Sequence, residues 1–208
     1  MKNAVWVAVC FVTINACYAL DRNSSSTVIT TQDSVLQLAV RYYSDGDYKR
    51  VVALNGPADS LSPSSKLSYI QGMSYSALYD YPHAIEKYQK AISVDSANVN
   101  YRFQYGRLLI QAGFLEGAVN ELTSCVALDS TYLPASFQLG LLYNMQKNNP
   151  QRELRIFTFL ISQNPDDFLS LYYVGDVLRR MELPDSGIKY TERSIAINPH
   201  YYPSVATS

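Results

Sequence analysis

The chain of 208 residues has few of the side chains that most often carry out chemistry in proteins. It contains 2 His, 3 Cys and 1 Trp, and charged residues make up only 17% of it. Such scarcity leaves little material for a metal site or for a nucleophile beside a base. The sequence also has no glycine-rich phosphate loop, no HExxH segment and no Cys-x-x-Cys pair. It therefore predicts a protein that is not an enzyme and holds no cofactor and no metal.

The balance of charge is close to neutral, with 17 Lys+Arg against 18 Asp+Glu and a formal net charge of -1. A general nucleic-acid binder would be strongly basic, so this class of partner is not expected. Apolar residues make up 48% of the chain and tyrosine is abundant, with 18 Tyr. The length suits one domain or one repeat array with a packed core. The tyrosines predict either aromatic packing or an aromatic binding surface.

The N-terminal segment has the pattern of a secretory signal peptide over residues 1–19. Lys2 precedes an apolar run at 4–12, and small residues follow up to Ala19. The apolar run is shorter than the roughly 20 residues that a membrane-spanning helix needs. The sequence therefore predicts an exported protein of the cell envelope, in the periplasm or at the outer membrane.

Two ways of processing this segment remain open. Cleavage after Ala19 would release a protein without an anchor. Cleavage before Cys17 would expose the thiol for lipid attachment, because residues 14–17 resemble a bacterial lipobox, although Asn15 fits that pattern poorly. The polar segment 20–31 would then act as a tether, and Cys17 would anchor the chain to the membrane through its lipid.

Cysteine usage after processing leaves one thiol in the body of the protein. Cys10 lies in the leader and Cys17 at the processing site, so Cys125 is the one thiol that must remain. A single thiol cannot form an intramolecular disulfide. The sequence predicts that Cys125 is a buried, unreactive packing residue.

The remainder of the chain repeats itself with a period of 34 or 35 residues. Four series share this period: Gly72, Gly106, Gly140 and Gly175; Ala91, Cys125, Leu160 and Ser194; Tyr88, Leu122 and Phe157; Ser96, Ser130, Pro165 and Pro199. Within each unit the apolar residues show helical spacing twice. Each unit is therefore predicted to contain two amphipathic helices.

Glycine and proline locate the two helices of each unit. The glycines of the first series fall inside the first helix, which indicates that neighbouring helices approach too closely there for a Cβ. Small Ala84, Ala118 and Gly187 occupy the matching place in the second helix. Pro82, Pro150 and Pro184 mark the start of second helices, where proline is tolerated, and Asn149 is a suitable N-cap.

These residues resemble the tetratricopeptide repeat, a helix–turn–helix unit of 34 residues. The resemblance implies an all-α, right-handed superhelical solenoid. Its units are a degenerate first repeat with a loop at 32–64, four repeats at 65–98, 99–132, 133–167 and 168–201, and the start of an incomplete further unit at 202–208. The chain departs from the pattern at Arg152 or Glu153, where the family has alanine.

In this family the first helices line a concave groove, which implies a set of binding residues at fixed positions. They are Tyr43, Tyr69, Met73, Phe103, Arg107, Gln111, Phe137, Asn144, Tyr172, Asp176, Arg179 and Arg180. The expected partner is an extended peptide or a helix of another protein, oriented by the three arginines. An alternative interpretation is that the aromatic rings only pack between helices. A simpler interpretation of Arg179 and Arg180 is that they lie at a solvated helix end near Glu182.

The predicted function is a non-catalytic scaffold for protein–protein interactions in the cell envelope. One alternative is the regulatory or docking arm of a longer enzyme or sensor. Another is a ligand- or glycan-binding lipoprotein that uses the tyrosine-rich face. The family's carboxylate-clamp role is not expected, because Leu36, Val40, Tyr69 and Met73 stand where that role needs Lys and Asn.

Overall fold

A computed structural model describes residues 31–54 and 64–201. The signal peptide with Cys17, most of the tether, most of the loop before Ser64 and the segment 202–208 lie outside these residues, so the predictions made for them stay predictions. The described chain is helical throughout and contains no strand. Its helices are α1 (Thr31–Ser44), α2 (Tyr48–Ala53), α3 (Ser65–Ala77), α4 (Tyr81–Val94), α5 (Val99–Gln111), α6 (Leu115–Leu128), α7 (Leu133–Gln146), α8 (Pro150–Gln163), α9 (Phe168–Arg180), α10 (Pro184–Ile197) and a final 3₁₀ turn, Pro199–Tyr201.

The helices follow one another as pairs, and each packs against the next one along the chain. The first helices of neighbouring pairs, α1 with α3 and α3 with α5, also touch. Contacts between neighbours in sequence build a solenoid, in which each repeat is stabilised mainly by the adjacent ones. None of the helices in the described ranges is long and apolar enough to cross a membrane.

The helix starts are where the sequence predicts them. The side chain of Asn149 accepts a hydrogen bond from the backbone N–H of Arg152, which caps α8 as expected. Pro82, Pro150 and Pro184 lie at the first or second position of α4, α8 and α10. These positions suit proline because the first N–H groups of a helix have no partner within the helix.

The glycines of the first helices face large side chains of the second helices. A Cβ at Gly106 would lie 3.1 Å from the side chain of Leu122, and one at Gly140 would lie 2.8 Å from the ring of Phe157. The last pair approaches more closely still, since a Cβ at Gly187 would lie 2.8 Å from the backbone oxygen of Gly175. The predicted close approach of the two helices in each unit is confirmed.

Cys125 lies fully buried in the main core cluster, as the sequence predicts. Its thiol lies 3.6 Å from the backbone oxygen of Val99, and burial raises its pKa to about 11. The thiol is therefore protonated at neutral pH and is a poor nucleophile. At the matching place in the last unit, the Ser194 hydroxyl donates to the backbone oxygen of Phe168 at 2.6 Å. The two residues thus join the second helix of a unit to the start of its first helix.

Candidate functional site: a cavity between the first helices

A cavity of about 300 Å³ opens between the first helices α1, α3 and α5. Four of the predicted binding residues line it: Tyr43, Met73, Arg107 and Gln111. The walls also include Ser76 of α3 and Tyr88 of α4. We call this space the groove cavity. The structure therefore brings together one predicted side chain from α1, one from α3 and two from α5, as the repeat spacing implied.

Arg107 carries the charge of the groove cavity. Its Nη1 donates to Gln104 Oε1 at 3.1 Å, and its guanidinium carbon lies 5.9 Å from the centre of the Phe103 ring. In the part of the chain that the structure describes, none of the ion pairs within 4.0 Å involves this exposed arginine. Its positive charge is available to a partner.

Two tyrosines of the groove cavity, Tyr43 and Tyr88, remain neutral phenols. Burial raises the pKa of Tyr43, and it raises the pKa of the almost fully buried Tyr88 far more. Met73 lies beside these rings and adds a flexible apolar side chain. Together they form an apolar wall opposite the amides of Gln104 and Gln111, which is the mixture of surfaces that binding pockets for small groups use.

Other predicted binding residues are engaged in ring packing. Tyr69 stacks on Tyr101 with ring centres 4.6 Å apart, and its hydroxyl accepts a hydrogen bond from Asn100 at 2.9 Å. Phe103 is only 8% exposed and meets Tyr132 edge to face at 5.2 Å. For Phe103 the alternative interpretation, packing between helices, describes what the structure shows.

The same holds further along the solenoid. Phe137 packs edge to face against Phe157 at 6.0 Å and against Tyr173 at 6.4 Å. Tyr172 contacts Tyr201 of the final turn at 5.8 Å between ring centres. These rings pack within and between neighbouring units. A second cavity, of about 410 Å³, is lined by Tyr172, Asp176 and Arg179 of the predicted set.

A buried charge network occupies the C-terminal part of the first-helix surface. The Glu153 side chain is 0% exposed, and both of its oxygens accept from Arg180 Nη2 at 2.6 Å. Asn144 Nδ2 donates to Glu153 Oε1 at 2.8 Å, while Asp176 pairs with Arg180 at 3.0 Å and with Arg179 at 2.6 Å. We call these five residues the Glu153 network.

This network corrects the interpretation of Arg180 as part of a solvated helix end. Its side chain is 22% exposed and lies between two carboxylates. The physical reason is that a buried carboxylate requires a partner charge, and Arg180 supplies it from the next unit. Burial alone would lower the pKa of Arg180, but the hydrogen bonds and charges of Glu153 and Asp176 outweigh burial and raise it.

The pKa of Asp176 moves in the direction that such pairing favours. Burial by itself would raise it, yet the hydrogen bonds and charges of Arg179 and Arg180 outweigh burial, so the pKa is lowered. Asp176 is therefore ionised at neutral pH and neutralises much of the charge of its two arginine neighbours. Three predicted groove residues, Asn144, Asp176 and Arg180, thus belong to an internal network, and Arg179 joins it from the exposed surface.

Sequence reasoning missed the role of Glu153, although a signal was present. The matching place in the other units holds Ala84, Ala118 and Gly187, so Glu153 is the charged member of a series of small residues. A charged residue at a position that is buried in every unit needs a partner. Nothing in the chain order indicates that the partner is an arginine 27 residues further on.

Metal ligands are not grouped in the described part of the chain: no set of three or more His, Cys, Asp or Glu side chains there could hold an ion.

The architecture places the chain among helix–turn–helix repeat solenoids, and solved structures share that fold at low sequence identity. A crystal structure of MamA covers 79% of this chain and 96% of its own, with a TM-score of 0.67 and 19% identity. YrrB, described as a TPR protein with an unusual peptide-binding site, covers 80% of this chain and 86% of its own, with a TM-score of 0.69 and 19% identity. MamA from Desulfovibrio magneticus RS-1 covers 82% of this chain and 96% of its own, with a TM-score of 0.70 and 15% identity.

No protein-family model matches the chain, and no curated protein matches its sequence. The likeness to solved structures establishes the tetratricopeptide-repeat type of solenoid fold, which confirms the fold class that the sequence resemblance implied.

Proposed function

We propose that the chain is a non-catalytic scaffold that holds a segment of a partner protein in the groove cavity. The observation that carries the proposal is the guanidinium of Arg107, which forms no ion pair with the described residues and lies beside an apolar wall of Tyr43, Met73 and Tyr88. Interface centres favour arginine, methionine and aromatic side chains in this combination. A solved structure with the same fold, that of YrrB, is described as having a peptide-binding site, which supports a groove of this kind.

The size of the groove cavity suggests how a partner enters it. A volume of about 300 Å³ is at the small end of ligand pockets, so it accommodates one or two side chains of a longer segment. The amides of Gln104 and Gln111 can pair with the backbone of an extended segment, while the apolar wall takes its side chain. Arg107 would set the orientation through a carboxylate or carbonyl oxygen.

The proposal includes a place in the cell. The signal-peptide pattern at 1–19 supports export to the cell envelope, and the segment before Cys17 supports attachment of lipid. Mass spectrometry of the mature protein from its native envelope tests this part. A chain that begins with lipidated Cys17 supports an anchor, one that begins at residue 20 supports release, and an intact Met1 contradicts export.

Site-specific photo-crosslinking tests the binding role. A photoreactive amino acid replaces Ser76 in the groove cavity, and a second variant carries it at the exposed Ser93 of α4 as a control. We expect the Ser76 variant to form a discrete cross-link with one protein in native cells, and the Ser93 variant to form none. Arg107→Glu should abolish the cross-link, whereas Arg155→Glu, an exposed arginine on α8, should not. Equal yields from both positions would contradict the proposal.

A further inference from the structure

One repeated position carries a large side chain that lies on the first helix in two units, and it is a glycine in the unit between them. His83 stacks on Tyr75 with ring centres 5.2 Å apart and an interplanar angle of 22°. Arg152 lies over Tyr143 at 6.0 Å and donates to its hydroxyl at 3.1 Å. The unit 99–132 has Gly117 at this position, above Leu109.

An open cavity of about 670 Å³ lies beside Gly117. Leu109 contributes to its wall, together with Ile85, Tyr105 and Leu115, and Phe114 stands at its edge with 56% of its surface exposed. Gly113, in the left-handed turn before α6, also contributes no side chain. We call this space the Gly117 slot. In the two neighbouring units the matching position carries a planar or cationic side chain, that of His83 or Arg152. The Gly117 slot has room for such a group from outside the chain.

The charges at the Gly117 slot are negative. Glu116 and Glu121 both line it, and none of its lining residues is basic. Glu121 pairs with Arg102 at 3.0 Å. Over the described ranges, 31–54 and 64–201, none of the ion pairs within 4.0 Å includes Glu116. A positively charged group would therefore find an uncompensated carboxylate beside an apolar wall.

We propose that the Gly117 slot binds an arginine side chain of a partner protein. Its guanidinium would lie beside Gly117 and would pair with Glu116. The apolar walls would take the methylene stem. A lysine lacks the planar head, and an aromatic ring lacks the charge, so both fit less well than arginine.

The slot is separate from the groove cavity. The two share no lining residue, since the groove cavity involves mainly first helices and the slot is built chiefly around α6. The inference therefore does not rest on the proposed function, and either can fail without the other.

Nuclear magnetic resonance on the full ¹⁵N-labelled chain tests the proposal with defined probes. Blocked Ala-Arg-Ala, Ala-Lys-Ala and Ala-Phe-Ala tripeptide amides are titrated separately, and the backbone amides of Gly113 and Gly117 report on the slot. We expect the arginine peptide to shift both signals and to saturate with a Kd on the order of 1 mM. The lysine and phenylalanine peptides should bind more weakly. No shift at Gly117, or equal affinity for all three peptides, overturns the proposal.

Matched variants locate the site. Glu116→Lys should weaken binding of the arginine peptide about fivefold, because an exposed charge pair contributes up to ~1 kcal/mol. Glu182→Lys, in the corresponding turn of the last unit, should leave it unchanged. Gly117→Arg should abolish binding, because the chain then fills the slot itself.

Gly117→Ala separates loss of the slot from loss of the fold. Its Cβ would lie 3.3 Å from the movable end of the Leu109 side chain, so the helix tolerates it and the slot stays open. This variant should bind the arginine peptide as the parent chain does. Binding by Gly117→Arg, or its loss in Gly117→Ala with circular dichroism unchanged, contradicts an arginine site.

Discussion

Two arginines of the first-helix surface, Arg107 and Arg180, were predicted to act alike and lie in opposite surroundings. Arg107 is exposed beside the groove cavity, and its polar contact is an amide. Arg180 is largely buried between Glu153 and Asp176. The two arginines also occupy different places in the repeat, since Gln111 holds the place of Arg180 in the unit 99–132. Arg180 is drawn into the interior because Glu153, on the second helix of the preceding unit, is fully buried and pairs with it.

This comparison shows that a place in the predicted groove set does not decide the role of a charge. A guanidinium that already neutralises two carboxylates offers little to a partner, since new pairing must first break old pairing. Arg107, which forms no ion pair with the described residues, can be used for binding at low cost. The proposed binding role therefore lies in the N-terminal part of the solenoid, while the Glu153 network stabilises the C-terminal part.

The largest expected effect is that of Glu153→Ala. It leaves Arg180 buried with one carboxylate fewer, and breaking a buried pair in this way should lower the free energy of unfolding by about 3 kcal/mol. Glu121→Ala is the matched control, because its pair with Arg102 is more exposed and should contribute at most ~1 kcal/mol. Urea unfolding followed by circular dichroism measures both. If the two variants lose the same free energy of unfolding, the Glu153 network stabilises the fold no more than an exposed ion pair does.

The N-terminal and C-terminal parts of the solenoid also differ in how closely the two helices of a unit approach each other. Gly187→Ala places a Cβ 2.8 Å from the backbone oxygen of Gly175, which cannot move aside, and should cost about 2 kcal/mol. Gly106→Ala meets the flexible side chain of Leu122 at 3.1 Å, and alanine favours a helix over glycine by about 1 kcal/mol. Its net effect should be close to zero. Thermal unfolding distinguishes the two, and an equal loss would mean that both helix pairs are equally tight.

A smaller loss of stability is expected where a side chain of the second helix hydrogen-bonds to the start of the first helix in the same unit. Ser194→Ala removes the hydrogen bond to the Phe168 oxygen and should cost about 1 kcal/mol. Cys125→Ser should change stability by less than that, because the serine hydroxyl can bond the Val99 oxygen as Ser194 bonds its own acceptor. Chemical unfolding of both variants tests this, and a large loss in Cys125→Ser would show that the site tolerates only a thiol.

The smallest effect on stability is expected at Arg107. Because this arginine is exposed and makes no ion pair among the described residues, Arg107→Ala should change the free energy of unfolding by less than about 0.5 kcal/mol. The same variant should lose the photo-cross-link at Ser76. Unfolding curves and cross-linking yield are measured on one preparation. A clear loss of stability would mean that Arg107 stabilises the fold as Arg180 does. The N-terminal and C-terminal parts of the solenoid would then not differ in this respect.

Much of the fold could be predicted because its signals are local and repeated. Gly72, Gly106 and Gly140 recur at one phase, which indicates a close approach of helices whichever residue faces them. Pro150 and Asn149 mark a helix start through the dihedral angle and the cap that they favour, without reference to distant residues. Cys125 follows a series that includes Ala91, so its burial could be inferred from the period alone.

The candidate site could be predicted only in part. The periodicity selected Tyr43, Met73, Arg107 and Gln111, and these do meet around one cavity. It could not separate them from Phe103 and Phe137, because whether a side chain lines a cavity or packs on another ring depends on which side chains surround it in the folded chain. The Gly117 slot left no signal in the sequence except the glycine itself.

The sequence by itself determined that this chain is an all-α array of helix pairs, with the positions of its turns, its close helix contacts and its unreactive thiol. These features depend on residues a few positions apart, or on one recurring period. The tertiary structure alone decided which arginine is free, which aromatic rings pack together and where a cavity stays open. Those features depend on the size and charge of side chains in neighbouring units, where Glu153 meets Arg180 and where a cavity stays open beside Gly117.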